Sequence, residues 1–360
     1  MKITIIGLGV IGGSLGLAIK QNNPRVTIVG FDSPHVLRIA RKRRAIEVSA
    51  SSLRAAVSDA EIVFLCTPVD SILKLLPDVS RYVSSTTIVT DVGSVKGVVQ
   101  ACAKRYFGSH GIFIGGHPMA GSEGSGIGYA DGLLFQNAVY VLCPPGGRAK
   151  ETRRLASLLK SIGARVLMMD AREHDRVAAA ISHLPQLIAV SLMDSTALKN
   201  KRNPAFLQLA AGGFRDMTRI ASSPFHVWKD ILSNNRVEAS RSLKEFEKLL
   251  AQFRKGLHQR SLADVGRKFF RAKSFRDSIP KNTKGFLHSL HDLFIWVDDR
   301  PGTLAKLTAV LFRSGININD IELLKVREGQ GGTFRLSFES NETARLAAKS
   351  LRAKGFRVAK

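Results

Sequence analysis

The stretch GGHPMAGSEGSG, residues 115–126, sets one imidazole, His117, and one carboxylate, Glu123, among five glycines. His117 closes the apolar run IFIGGHP, which reads as a buried strand. A neutral imidazole at a strand end can take a proton from a substrate hydroxyl. Ser94, in TDVGSVKG at the end of another apolar run, could hydrogen-bond the same hydroxyl, although a serine after a glycine also serves as a helix cap. Glu123 could close the pocket or hold a water, or simply be a solvated loop acid. His183, in SHLPQ, could reach across from a helical region or pack at a helix end. In GGFRDMTRIASS, Arg215 and Arg219 stand four apart, so on one helix both guanidinium groups leave the same face and can hold a carboxylate. The following SSPFHVW reads as a new helix with Ser223 as its N-cap and Pro224 in its first turn. A proton acceptor and a carboxylate clamp together suit a small acid that carries a hydroxyl.

The amino terminus supplies a partner for such chemistry. GLGVIG, running Gly7, Leu8, Gly9, Val10, Ile11, Gly12, has the spacing G-x-G-x-x-G after an apolar strand and before a helical pattern that begins near Ser14. Gly7 permits a tight turn, Gly9 lets the backbone approach a pyrophosphate, and Gly12 lets helix and strand pack closely. A second strand ends in Asp32, which would accept hydrogen bonds from the adenosine ribose and repel a 2′-phosphate. NAD is therefore the expected cofactor, with Arg38 and Arg41 leaving NADP open. Thr67 and Pro68 end a third strand and Asp91 a fourth, with Ser94 and Lys96 following. Residues at these carboxyl ends are expected to line the cofactor or the substrate. A nicotinamide there would accept a hydride beside His117.

These residues need a scaffold, and the chain's periodicities describe one. Residues 1–170 alternate β-branched runs (KITIIG, RVTIVGFD, IVFLCTP, TIVTDVG, IFIGGHP, AVYVLCP) with helical patterns, predicting an α/β Rossmann-type parallel sheet wrapped by helices. Residues 171–275 read as all-helical; their wide apolar faces need cover, which a second copy of the chain would supply, so a homodimer is expected. Residues 276–289 are polar and basic and read as a linker. Residues 290–360 run strand, helix, strand, strand, helix, with FRVAK a possible last strand, predicting a small ferredoxin-like domain.

Composition narrows the classes. Lys and Arg number 54 against 29 acidic residues, a formal net charge of +25, with 14 basic to 5 acidic between Arg236 and Gly285. That balance suits anionic small ligands or is a solvated basic surface; no nucleic-acid reader motif or interleaved aromatics accompany it, so no nucleic-acid partner is expected. Cys66, Cys102 and Cys143 lack a C-x-x-C pair or nearby His, so neither disulfide nor metal is indicated and a reducing cytoplasm fits. The apolar run Ile3–Ile19 is broken by five glycines, so no membrane segment is expected.

Taken in order, GLGVIGGSLG, CTPV, DVGSVKG, GGHPMAGSEGSG, SHLPQ and GGFRDMTRIASS resemble the prephenate dehydrogenases over roughly residues 1–235. LFIWVDDRPGTLAKLTAVLFRSGININDI resembles an ACT domain, an amino-acid-sensing module. The resemblance implies NAD-dependent oxidative decarboxylation of prephenate in tyrosine biosynthesis. It makes His117 the acceptor for the ring hydroxyl, Ser94 its partner, Glu123 a pocket residue, His183 a substrate-facing residue, and Arg219 with Arg215 the carboxylate site. Gln186 stands where some members carry a second histidine, which leaves prephenate against arogenate open. The resemblance also implies an amino-acid effector, tyrosine being the end-product guess, with the strand-to-helix turn DDRPG and the turn SGININ suggesting a site near Gly315, Ile316 and Asn317. Outside this reading stand a β-hydroxyacid-type dehydrogenase, which would call for a catalytic lysine in the helical region, and a nucleotide-sensing regulator.

Overall fold

The computed structural model describes residues 1–108, 111–121, 124–258, 262–278, 290–298, 300–327 and 331–359. Glu123 and most of the expected linker lie outside them. The chain divides into two units, Met1–Leu262 and Ala263–Lys360.

In the first unit eight strands form one sheet: β1 (Lys2–Ile6), β2 (Thr27–Phe31), β3 (Val48–Ser49), β4 (Ile62–Leu65), β5 (Ile88–Asp91), β6 (Ile112–Pro118), β7 (Val139–Cys143) and β8 (Arg165–Met168). Their order is β3-β2-β1-β4-β5-β6-β7-β8. The strands are apolar on both sides because both faces are covered. Ile3, Ile5, Ile28, Ile62 and Phe64 join one core, while Ile6, Val29, Val63 and Leu65 join the other. The first core is closed by α1 (Val10–Asn22) and α2 (Pro34–Lys42), the second by α3 (Leu53–Val57), α4 (Val69–Tyr82) and α5 (Gly97–Tyr106); α6 (Ala149–Ser161) returns to the first through Leu155, Leu158 and Leu159.

Three details depart from the sequence reading. Helix α1 begins at Val10, not near Ser14, so the glycine turn runs directly into it. The short β3 and β8 were not foreseen. The sheet is parallel except between β6 and β7, which are antiparallel. The reason is the connection: residues 119–138 contain only a short 3-10 turn, Ile127–Tyr129, among the described residues, whereas a parallel return requires a full crossover.

The glycine loop is sterically determined. Gly7 has φ of +88°, and a Cβ there would lie 2.8 Å from the Cys66 carbonyl oxygen. A Cβ on Gly12 would lie 2.0 Å from the Gly7 carbonyl oxygen, backbone that cannot swing aside. Gly12→Ala is expected to cost about 1–3 kcal/mol, read as a lowered thermal midpoint together with weaker NAD binding; a wild-type midpoint would contradict this packing.

The rest of this unit is helical: α7 (Ala171–Ala178), a π-turn (Ala179–His183), α8 (Leu184–Asn200), α9 (Ala205–Gln208), α10 (Gly212–Thr218), a 3-10 turn (Arg219–Ser222), α11 (Phe225–Asn234) and α12 (Arg236–His258). Asp170 caps α7 through the Arg172 and Glu173 amides. The π-turn has a cause in the sequence: Pro185 has no N–H to offer the carbonyl one turn back and its ring crowds that carbonyl, which widens the helix. Ala171–Asn200 is the one stretch, among the described residues, long and apolar enough by composition to cross a membrane. Large apolar side chains stand exposed on these helices, among them Ile181, Leu198, Leu209, Met217 and Phe225.

The second unit contains α13 (Leu262–Ser278), β9 (His291–Val297), α14 (Thr303–Arg313), β10 (Asp320–Arg327), β11 (Gly331–Phe338), α15 (Asn341–Ala353) and β12 (Arg357–Ala359). The sheet order β10-β11-β9-β12, all antiparallel, is the predicted ferredoxin-like arrangement, with Ile295, Leu307, Leu336, Phe338 and Leu351 in its core. Helix α13 runs to Ser278 through the start of the expected linker and groups with this unit; its spaced opposite charges, Asp264 with Arg267 and Lys273 with Asp277, support helix where composition alone reads as linker.

Candidate active site

The glycine loop, Asp32, Thr67 and Ser94 all lie at or just beyond the carboxyl ends of β1, β2, β4 and β5. Leu8 itself is buried, and its backbone N–H donates to Asp32 Oδ2 at 2.7 Å, while Ser33 N–H donates to Oδ1 at 2.6 Å. The carboxylate is thus locked at the tip of β2, beside a cavity of about 690 Å³ lined by Asp32, Leu37, Arg38 and Arg41. Val10 and Ile11 form the first turn of α1, and a Cβ on Gly9 would meet no protein atom. Packing therefore does not demand glycine at that position, but close approach of a ligand to the backbone would. Thr67 Oγ1 is buried without a hydrogen-bond partner among the described residues, and Pro68 caps α4. These features fit a dinucleotide.

Asp91 does not face a ligand. Its carboxylate is fully buried, pairs with the equally buried Lys96 ammonium, and accepts the Gly93 N–H at 2.9 Å and the Gly116 N–H at 3.0 Å. Lys96 Nζ also donates to the Gly116 carbonyl at 2.8 Å. The pair clamps the residue before His117 from both backbone sides, so its role is to fix β6. Placement at a strand end was right; the direction of the side chain was not.

His117 sits half-buried near the end of β6, and its Nδ1 is 2.8 Å from Nε2 of His174 on α7. Burial lowers its pKa well below the ordinary histidine value, and repulsion of a charged ring by the neighbouring His174, Lys96 and His183 groups pushes the same way. The ring is therefore held in its neutral form at neutral pH. His174 Nδ1 meets Asp175 Oδ1 at 2.9 Å, and Asp175 accepts the backbone N–H groups of Lys96 (2.7 Å) and Gly97 (2.8 Å) at the start of α5. Asn235 donates to the Asp175 carbonyl at 2.8 Å and lies 3.3 Å from His183 Nδ1. His183, on the π-turn, is buried edge-on against Trp228 of α11, and burial first of all lowers its pKa to about 4. Ser94 lies in the loop between β5 and α5, half-buried.

The arginines behave differently from expectation. Helix α10 ends at Thr218, so Arg215 and Arg219 stand on two consecutive elements rather than on one continuous helix. Arg215 is exposed and its Nε donates to the Ala210 carbonyl at 3.2 Å; Arg219 opens the 3-10 turn. Pro224, not Ser223, takes the cap position of α11. Buried Gln186 donates its amide to the Ile220 carbonyl at 3.1 Å, which ties the turn carrying Arg219 to the helix carrying His183. The structure thus joins His117 and His183 through one buried polar network of His174, Asp175 and Asn235, while Gln186 separately ties the backbone beside Arg219 to α8.

His174, Asp175, Asn235 and Trp228 were missed. The adjacent pair in EHDR was a visible signal, since an acid beside a histidine in the first turns of a helix can orient it, but its meeting with His117 is a long-range contact. The expected effector residues do not line the cavity found in the second unit. In the second unit a cavity of about 450 Å³ is bounded by Asp298, Arg300–Leu304, Gly331 and Gly332 rather than by Gly315, Ile316 and Asn317, and Ile316 packs toward the core.

Profiles of known families match the chain in three consecutive segments: the nucleotide-binding domain of prephenate dehydrogenase at residues 15–168, its dimerization domain at 170–270, and the ACT domain at 291–350. The prephenate dehydrogenase of Bacillus subtilis strain 168 is 37% identical over 359 residues, 98% of this chain and 97% of that protein. The chain belongs to the prephenate dehydrogenase family. Among solved family members, prephenate dehydrogenase from A. aeolicus in complex with hydroxyphenyl propionate and NAD+ superposes with a TM-score of 0.71 at 27% identity, covering 78% of this chain and 98% of that one. Synechocystis arogenate dehydrogenase superposes with a TM-score of 0.68 at 30% identity, covering 77% and 99%. As a family member, the chain is an α/β oxidoreductase with a Rossmann-type nucleotide-binding domain, a helical domain and an ACT domain.

Proposed function

We propose that this prephenate dehydrogenase family member carries out the NAD-dependent oxidative decarboxylation of prephenate to 4-hydroxyphenylpyruvate. The observation that carries the assignment is His117: a neutral, half-buried imidazole fixed at the carboxyl edge of the sheet that carries the glycine loop and hydrogen-bonded to His174 of the helical region. NAD, when bound, supplies the acceptor for the hydride that leaves the substrate's carbinol carbon. The Gly7–Gly12 loop and Asp32 would hold that cofactor.

His117 takes up the hydroxyl proton as the carbon–hydrogen bond breaks, leaving a carbonyl in the ring. The ring carboxylate then departs as carbon dioxide, its bonding pair entering the ring, and the phenol oxygen regains a proton from His117. Aromatisation drives the sequence, so alignment and a correctly protonated base are what the protein must provide. Ser94 shares the hydroxyl, His183 faces the substrate from the helical region, and Arg219 binds a substrate carboxylate, with Glu123 assigned to closing the pocket. Gln186, its amide committed to the Ile220 carbonyl, holds the arginine turn in place rather than contacting substrate. Arg215 makes no contribution to the carboxylate site in this reading.

Arogenate is the second substrate, favoured by the absence of a histidine at Gln186 and by the similarity to an arogenate dehydrogenase. The deciding experiment follows absorbance of the reduced cofactor with prephenate and arogenate in parallel, each with NAD and NADP; inactivity in all four would remove the assignment. Arg219→Ala is expected to raise the KM for substrate about ten- to a hundredfold, the equivalent of losing one charge-assisted hydrogen bond, with a smaller fall in kcat. An unchanged KM would count against the carboxylate contact.

The exposed apolar side chains of α8–α11, on a domain whose family profile is one of dimerization, support a homodimer, and three cysteines that form no disulfide fit a cytoplasmic location. An amino acid, with tyrosine the end-product candidate, is assigned to the ACT domain at the Arg300–Leu304 turn.

A further inference from the structure

Asp175 fixes the direction of every hydrogen bond between itself and His117. Two backbone N–H groups, Lys96 to Oδ1 and Gly97 to Oδ2, donate to its carboxylate, which has only lone pairs to offer. The His174 Nδ1 at 2.9 Å must therefore carry a proton and donate. A neutral His174 then has a bare Nε2, and the His117 Nδ1 that lies 2.8 Å away must be the donor in that contact. With its one proton on Nδ1, neutral His117 keeps an unprotonated Nε2.

We propose that His174 and Asp175 are positioning residues that select the tautomer of His117, leaving Nε2 as the lone pair that accepts the substrate proton. The inference rests on the reading of His117 as the proton acceptor. The other tautomer would present an N–H to the hydroxyl and could not accept. The titratable and charged groups around His117 are consistent with this wiring: Lys96 is held by Asp91, His183 lies on the π-turn, and His174 stands between His117 and Asp175. The same carboxylate also joins the loop that carries Ser94 to α7, so it sets the orientation of the base and the placement of its partner together.

The test uses the full chain labelled with 15N in the histidine rings, at neutral pH, with signals assigned by loss in His117→Asn and His174→Gln. Protonated Nδ1 and bare Nε2 in His117 are expected; a proton on Nε2 overturns the proposal whatever the activity. Kinetics supply the second arm. His174→Leu removes the acceptor for the His117 Nδ1 proton and should lower kcat about a hundredfold with both KM values within about twofold. His174→Gln, whose amide oxygen can take that proton, should recover to within about tenfold of wild type. Equal losses in Leu and Gln variants would mark a merely structural residue and also overturn the proposal. If the Leu variant does not fold, the tautomer in the unmodified protein decides. Failure of the base assignment itself would show separately, as wild-type turnover in His117→Asn.

Discussion

His117→Asn should lower kcat by about a hundred- to ten-thousandfold, the range that general-base help supplies, while NAD affinity stays within about twofold. The split follows from geometry. The side chain lies at the end of β6, whereas the residues fitted to the dinucleotide come from β1, β2 and β4. Asparagine keeps a donor toward His174 but has no group basic enough to hold the proton. The pH dependence follows from the lowered pKa of His117. Its ordinary value is about 6.5, and a base works only when unprotonated, so the acid limb of kcat/KM assigned to it should lie well below 6.5. Stopped-flow and equilibrium titration of the reduced cofactor check both halves. Wild-type turnover, or an acid limb at or above 6.5 that follows His117, would contradict the assignment.

Lys96→Met should destabilise the first unit by about 3–5 kcal/mol, because it leaves the Asp91 charge buried without its counter-ion. Neither side chain is more than 1% exposed. The two backbone N–H groups on Asp91 would remain, but both are neutral donors. Urea unfolding should show the lowered midpoint, and Lys96→Met combined with Asp91→Asn should lose less than the sum of the single changes, since the pair is one unit. A shift below 1 kcal/mol would mean that water or another cation reaches the site. Activity should fall along with stability, because the pair grips Gly116 and so sets the residue that follows.

How much of this was legible depended on the range of the interaction. The glycine turn, the six foreseen strands of the first sheet and the ferredoxin-like order are local patterns, and each stands where its residues suggested, whereas the short edge strands β3 and β8 lack the β-branched run that marks the others. Asp91 was misread because a strand end says where a side chain starts and not whether a buried ammonium lies within reach. The Arg215–Arg219 pair was misread because four-residue spacing presumes a continuous helix, and this one changes to a tighter turn at Arg219. His174 and Asp175 were passed over because their meaning depends on β6 and α7 being neighbours, which no local spacing records. The antiparallel β7 was decided by what residues 119–138 lack, a long helix, and that is easy to overlook among recognisable strands.

The widened turn before Pro185 has a consequence for how this chain can vary. Each residue of a regular helix advances the next by roughly 100°, so the extra one absorbed at Ala179–His183 sets the rotational phase of everything after it. His174, Asp175 and Ala178 before the turn, His183 at its end and Gln186 after it are all buried, and the surplus residue is what keeps the later pair on the inward line of the earlier three. Losing one residue between His174 and Gln186, or straightening the helix by replacing the proline, would spin the inward line toward solvent and uncouple the arginine turn from the histidines. That interval is a mechanical key, and its length is as much part of the chemistry as the rings at its ends.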